Sequence, residues 1–468
     1  MKKITVKGIC SIETMLSVFI LQIPLTVCST EKLSPNNPLI MNWTTPDIPS
    51  LSILSISHLR NRQYGSQFVK PEAVDNNSDG YSSFIMSYKS DGLTNYARID
   101  IPQKTAPVTG YPVLLYSHGW VGIKSAPSFN FFLDQEGSQA TYIDRLAKQG
   151  YVVVTPGWRG HGTVNNVPAQ GIEFMQRWDN ASYISPIFYA IDMLNALDSI
   201  QSITSLKLGP SPINIDTKKV FLSGHSQGGD TALLVLAIAG ESSTVKQQIS
   251  AASIFSGCFL PRLKQGELYS SMSTSPQAFL AGDGRWTSSA TGYDGQVNPD
   301  FQFGFPADWI GTPHSSDWTW QNKTWSSSTV KQAFKKKYDE MYHILQKDYL
   351  TADFYTLETN DMGRTVVQHP NHIKAAYAAT SAIYYPQYLQ EPLALHHSDR
   401  DYYSLSKWNQ ALVQTILKSG GNAVNFEYPG NTHSLTISQH QWFSENYNQM
   451  GLEQMINHDI NWFNNPKK

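Results

Sequence analysis

Val220-Phe221-Leu222-Ser223-Gly224-His225-Ser226-Gln227-Gly228-Gly229 is the stretch whose reading decides the fold. Val220 to Leu222 is a short apolar run of strand type, entered from Asp216 and the polar pair Lys218-Lys219. Gly224 to Gly228 fits G-x-S-x-G, and Thr231 to Ala239 continues as an apolar helix. Strand, sharp turn and helix form the context in which a serine stands on a strained elbow. The glycines follow from that geometry, because strand and helix close around the serine only if its neighbours lack Cβ atoms. A helix beginning just after Ser226 also turns free N–H groups and its positive dipole end toward a developing oxyanion. Small residues serve an ordinary tight turn equally well, so the reading depends on partners elsewhere in the chain.

Outward from that stretch the pattern alternates strand and helix. Val113 to Tyr116 reads as a buried strand, Thr141 to Gln149 as a helix ended by Gly150, and Tyr151 to Thr155 as the next strand. Tyr183 to Ile200 carries apolar residues at helical spacing, and Ala251 to Phe255 is another strand. After a long interruption the rhythm resumes with strand Pro392 to His396, helix Ser406 to Lys418, strand Ala423 to Tyr428 and a terminal helix Gln439 to Phe463. Repeated β-α-β units with continuous apolar strands imply an α/β fold, a mostly parallel sheet with helices on both faces. Sites in such sheets lie at the carboxyl ends of the strands.

Before the core, Ser34 to Ser78 is rich in Pro, Asn and Ser and is expected to be an irregular leader. Tyr81 to Tyr88 and Leu93 to Ile101 form a hairpin through Ser90-Asp91-Gly92. The interruption, Cys258 to about Tyr388, reads as a large inserted cap. It holds Trp286, Phe301, Phe303, Phe305, Trp309 and Trp318, then a helical period from Val330 to Leu345, then an expected helix from His369 to Tyr385. The expected division is therefore 1–28 signal peptide, 29–110 leader and hairpin, 111–257 core, 258–388 cap, and 389–468 the rest of the core.

At 468 residues and 41% hydrophobic, the chain is long enough for a core domain with an insertion. A formal net charge of −2 carries no footprint for nucleic acid, so a small or neutral molecule is the expected partner. Lys2, Lys3 and Lys7 precede an apolar stretch, Met15 to Val27, too short to span a bilayer comfortably, which reads as an export signal to the periplasm or medium. Leu25-Thr26-Val27-Cys28 also has the look of a lipoprotein box, with Cys28 as the acceptor of a lipid anchor. No later run is long enough for a membrane span. Cleavage after Cys28 leaves Cys258 alone and no intrachain disulfide.

Acyl transfer needs a nucleophile, a base, a group orienting that base, and donors for an oxyanion. Ser226 is the candidate nucleophile, and His433, on the loop Pro429-Gly430-Asn431-Thr432 after the last strand, is the candidate base. The orienting acid should follow the preceding strand, where Asp399 and Asp401 stand two residues apart and both remain open. Oxyanion donors are expected from the backbone N–H groups of Trp120, in Ser117-His118-Gly119-Trp120, and of Gln227. His118, His161 and His225 are read as bracing loops by hydrogen bonds. His369 with His372, or His396 with His397, lack the spacing of a helical metal claw, so neither metal nor cofactor is expected.

Together Tyr116-Ser117-His118-Gly119-Trp120, Arg159-Gly160-His161-Gly162, Gly224 to Gly229, His397-Ser398-Asp399-Arg400-Asp401 and Gly430-Asn431-Thr432-His433 resemble the α/β-hydrolase superfamily, over roughly 111–256 and 392–463. The order nucleophile, acid, histidine is the order that family uses. Within it the chain is similar to dienelactone-hydrolase-like and prolyl-oligopeptidase-like serine hydrolases, which commonly show H-G-x-x-D-x-x-V-P near the acid. Laid with its histidine on His397, that pattern implies Asp401, although Ser398 replaces its glycine, leaving Asp399 as second choice. The resemblance implies a serine hydrolase of carboxylic esters, with a prolyl-oligopeptidase-like peptidase as the alternative and a non-catalytic binder on the same scaffold as a third. No repeat array precedes the core, so a β-propeller gate is not expected. The acyl group, oligomeric state and signal-peptidase type are not written in these motifs.

Overall fold

Central strands such as Val113 to Tyr116 are apolar at successive positions, as a sheet buried on both faces requires. In the computed structural model, residues 54–75, 79–121, 125–172, 185–206, 208, 212–257, 259, 356–359, 365–368, 378–398, 401, 404, 406–428, 433–438, 445–446 and 450–466 are described. The expected signal, all three cysteines, the cap's tryptophan-rich part, its 330–345 helix and Asp399 lie outside these residues.

In chain order come α1 (Ile56–Arg60), β1 (Val69–Val74), β2 (Tyr81–Ser90), β3 (Leu93–Pro102), β4 (Tyr111–Ser117), α2 (Gly137–Gln149), β5 (Val152–Pro156), β6 (Thr163–Val164), β7 (Val167–Pro168) and α3 (Ser185–Ser199). Then follow β8 (Ile215–His225), α4 (Gln227–Ala239), β9 (Ala251–Phe255), β10 (Thr356–Thr359), β11 (Thr365–Gln368) and β12 (Leu393–His397). The last elements are α5 (Ser406–Lys418), β13 (Ala423–Glu427), β14 (Ile437–Ser438), β15 (Glu445–Asn446) and α6 (Met450–Asn464).

Nine strands form one sheet in the order β1-β2-β3-β5-β4-β8-β9-β12-β13. From β5 to β13 every neighbouring pair is parallel, whereas β1, β2 and β3 join antiparallel at one edge. Along β4, Val113 and Leu115 enter one core while Leu114 and Tyr116 enter the other; in β8 Val220 and Leu222 oppose Phe221 in the same way. A one-residue slip would exchange these sets, so the register is strongly specified. One core packs against α1, α3, α4 and α5, and the other against α2 and α6. Each fully buried aliphatic side chain, such as Leu146 of α2, contributes about 2 kcal/mol. Gly150 ends α2 in the left-handed region at φ 109°, as its sequence position implies.

Three expectations are corrected. The part of the leader that is described is ordered rather than irregular: α1 is capped by Ser55, whose Oγ accepts from His58 N–H at 3.2 Å, and β1 adds an edge strand to β2. An edge strand tolerates Pro71, and its pairing breaks between Val69 and Glu72, which obscured the strand in the sequence. Of the helix expected over His369 to Tyr385, the C-terminal part from Thr380 is turn and 3-10 helix (Ala382–Tyr384), because Ser381 adopts extended backbone and Pro386 follows. The terminal helix begins at Met450, not Gln439: Glu445–Asn446 pair with Ile437–Ser438 instead, before the amphipathic period takes over. Between β9 and β12 the described residues also include a strand pair, β10 with β11. Among the described residues no helix is long and apolar enough to cross a membrane.

Arg159, in the loop after β5, is wholly buried and bonds Asp192 of α3 twice, at 3.0 Å from Nε and 2.8 Å from its guanidinium end. It also reaches Asp91 of the β2–β3 turn at 3.1 Å, and Asp91 pairs in turn with Arg62. Breaking one partner out of such a buried set costs about 3–5 kcal/mol, because a charge is left uncompensated. The Arg159-Gly160-His161-Gly162 motif is therefore accounted for structurally: it ties hairpin, leader and α3 together behind the site.

Candidate active site

The carboxyl ends of β4, β8, β9, β12 and β13 share one rim of the sheet. β8 ends at His225, and Ser226 follows with φ 55° and ψ −123°, a conformation costly for any residue with a Cβ. The elbow is held by Ser226 N–H donating to Phe255 O at 3.2 Å, and by Gly229 and Asp230 N–H donating back to Ser226 O. At Gly228 a Cβ would lie 2.2 Å from the carbonyl oxygens of both Ser117 and His118; at Gly224 it would lie 2.5 Å from Gly228 O. No side chain fits at either position. The N-terminal turn of α4 is thus pressed directly against the exit of β4.

That exit is fixed at both of Gly119's polar groups. Gly119 N–H donates to Gln139 Oε1 at 2.8 Å, and Tyr116 OH donates to the same oxygen at 3.1 Å. His118 Nδ1–H donates to Gly119 O at 2.8 Å. This carbonyl belongs to the peptide whose other end is Trp120 N–H, so one imidazole sets the plane in which that N–H points. Gln227 opens α4, where the first N–H groups have no intrahelical acceptor. The side chain of Trp120 is 45% exposed at the rim.

On the other side, His433 Nδ1 lies 2.9 Å from each oxygen of Asp401. Asp401 is 1% exposed and also accepts Ser404 N–H at 2.9 Å, while Ser404 Oγ donates to Gly257 O, beyond the end of β9. With Nδ1–H donating to a carboxylate, Nε2 of His433 is left as the basic nitrogen. Of the two carboxylates open in the sequence, Asp401 is the one seen paired with His433; Asp399 lies outside the described residues. Ser226 and His433 are both half-buried, and the ring of His225, next to Ser226, is 4.8 Å from that of His433. Gln139 was invisible in the sequence, since it belongs to no motif and meets Gly119 across 20 residues.

Three imidazoles behind this rim are buried and neutral. Burial depresses His118 well below its ordinary range and His161 to about 4. Burial, with the neighbouring His433, lowers His225 to about 3. In the unfolded chain each takes up its proton near pH 6.5, whereas the fold resists protonation until far lower. Between those values the unfolded chain binds more protons, so stability must fall as pH drops below 6.5 and level off only near 4 to 3. Thermal melts from pH 8 to 4 are expected to show this slope; a melting temperature flat down to pH 4 would contradict it. His396 belongs to a separate buried cluster, with Nε2 2.9 Å from Asp459 and Nδ1 2.7 Å from Tyr428 OH.

No protein-family model matches the chain, and no curated protein matches it. Among solved structures it is similar to the rice cell-wall-degrading esterase LipA of Xanthomonas oryzae, with 16% identity and a TM-score of 0.46 over 86% of this chain and 98% of that one. It is similar to the acylaminoacyl peptidase of Pyrococcus horikoshii, with 13% identity and a TM-score of 0.43 over 83% of this chain. It is also similar to dipeptidyl peptidase 4 of Porphyromonas gingivalis, with 14% identity and a TM-score of 0.42 over 82% of this chain. The chain spans only 42% and 36% of the lengths of these two peptidases. The chain's own strand order, with a parallel run from β5 to β13, an antiparallel hairpin at one edge and a serine elbow between β8 and α4, is that of the α/β-hydrolase fold.

Proposed function

We propose that the protein is an exported serine hydrolase that cleaves carboxylic esters. The observation that carries this reading is the paired contact of His433 Nδ1 with buried Asp401, at the same rim as a serine in the strained elbow conformation. Asp401 holds the imidazole in the tautomer whose Nε2 accepts a proton. Ser226 Oγ attacks the ester carbonyl carbon as its proton passes to His433, forming a tetrahedral oxyanion that the Trp120 and Gln227 N–H groups stabilise. Collapse breaks the carbon–oxygen bond to the alcohol, which leaves with the proton from His433. Water then attacks the acyl-enzyme, gives its proton to His433, and the acid departs as Ser226 recovers its hydrogen. Alcohols leave more readily than amines, which favours esters over peptides for this arrangement. Export is supported by the Lys2, Lys3 and Lys7 region ahead of the apolar Met15 to Val27 stretch.

A fluorophosphonate probe should label folded protein at Ser226, identified by peptide mass, and p-nitrophenyl esters should turn over faster than prolyl or aminoacyl anilides. Absence of labelling would favour a binding protein on this scaffold. Faster anilide turnover would transfer the reading to a peptidase.

A further inference from the structure

We propose that His225 is a positioning residue that fastens the main chain of the base, through a hydrogen bond from its Nε2–H to the carbonyl oxygen of His433. The contact is 3.1 Å long and joins residues 208 positions apart. A carbonyl can only accept, so the bond itself fixes His225 as the Nε2–H tautomer with a bare Nδ1. That Nδ1 has no hydrogen-bond partner among the described residues and faces Gly119, where a Cβ would stand 3.0 Å from it. One ring therefore touches both the loop bearing the base and the loop bearing the Trp120 amide. The ring cannot swing away, because it is 5% exposed and packed on Phe255 at 4.6 Å between centroids.

The function of such a contact follows from the two elements it joins. Asp401 meets the imidazole of His433, whereas the bond from His225 meets its main chain, and it comes from the residue adjacent to Ser226. Nucleophile and base are thereby referred to the same strand end, β8. The brace must also be uncharged: a cation 4.8 Å from His433 would oppose formation of the imidazolium. Burial keeps His225 neutral throughout the range in which such a base works.

This inference rests on the serine-hydrolase reading, and its test separates the two. Glutamine at position 225 can set an amide N–H where Nε2–H stood, whereas asparagine ends near the place of Nδ1 and cannot reach His433 O. With an ester substrate, His225→Gln should keep kcat within a few-fold of wild type. His225→Asn should lose about 10- to 100-fold in kcat, the scale of a misplaced catalytic group, with KM little changed. Equal kcat for the two variants would overturn the proposal, as would a loss carried by KM alone. Nitrogen NMR of ring-labelled histidine in the wild-type protein, with His225 assigned by its absence in the Gln variant, needs no stable Asn variant. The Nε2–H tautomer of a neutral ring at pH 7 supports the brace, and an Nδ1–H tautomer refutes it. Ser226→Ala in the same assay tells the readings apart: full turnover sinks both, whereas an inactive Ser226→Ala beside an unimpaired His225→Asn sinks only the brace.

Discussion

Ser226→Ala is expected to lower ester turnover by about 10⁴- to 10⁶-fold, the range seen when a nucleophile that acts as one unit with its base is removed. Folding should survive the change. The bonds that hold the elbow run through the backbone N–H and C=O of residue 226, which alanine keeps. Alanine also retains the Cβ and with it the cost of φ 55°. Ser226→Gly is therefore the informative companion: equally inactive, yet melting higher, because glycine occupies that region without penalty. Turnover at wild-type level in Ser226→Ala would end the proposed mechanism. A Gly variant no more stable than the Ala variant would show that the elbow stores no strain.

Asp401→Asn should cost about 10⁴-fold in kcat, comparable to the same exchange in other triads, with little change in melting temperature. The amide is nearly isosteric and still accepts Ser404 N–H through its oxygen, but it can turn an N–H toward His433 Nδ1. The proton of the imidazole then moves to Nε2, the nitrogen that has to accept from Ser226. Asp399→Asn should leave kcat close to wild type. The two single variants, assayed side by side, decide the acid. Near-normal activity in Asp401→Asn together with a collapse in Asp399→Asn would mean that the contact with His433 is not the working one.

The sheet was legible because its strands are buried on both faces and therefore apolar at every position, as in Val113 to Tyr116 and Val152 to Val154. The serine was legible because Gly224 and Gly228 are demanded by backbone contacts, which leaves a local mark. Choosing between Asp399 and Asp401 required a distance, since residues two apart in an extended segment face the same way. Gln139 left no mark: a polar residue in the first turn of a helix is common, and its acceptor role exists only where β4 ends beside it. The edge strand β1 was hidden by Pro71 and an interrupted register. The terminal helix was overextended because Gln439 to Gln449, with Trp442, Phe443 and Tyr447 set among polar residues, carries no mark of where helix begins.

The ordered part of the leader does more than lengthen the sheet. Arg60, ending α1, donates to Ala237 O at 2.7 Å and also to Glu241 O, at the carboxyl end of the helix that starts beside Ser226, and lies 3.8 Å over the ring of Tyr388. Two residues on, Arg62 joins the buried carboxylate of Asp91. Those two guanidinium groups make residues 54–75 part of the body that carries the candidate site. A shortened version of the protein that starts at the first hairpin strand would expose the carbonyl end of that helix and leave Asp91 with Arg159 but without Arg62, and the smallest fragment worth expressing is one that keeps both arginines.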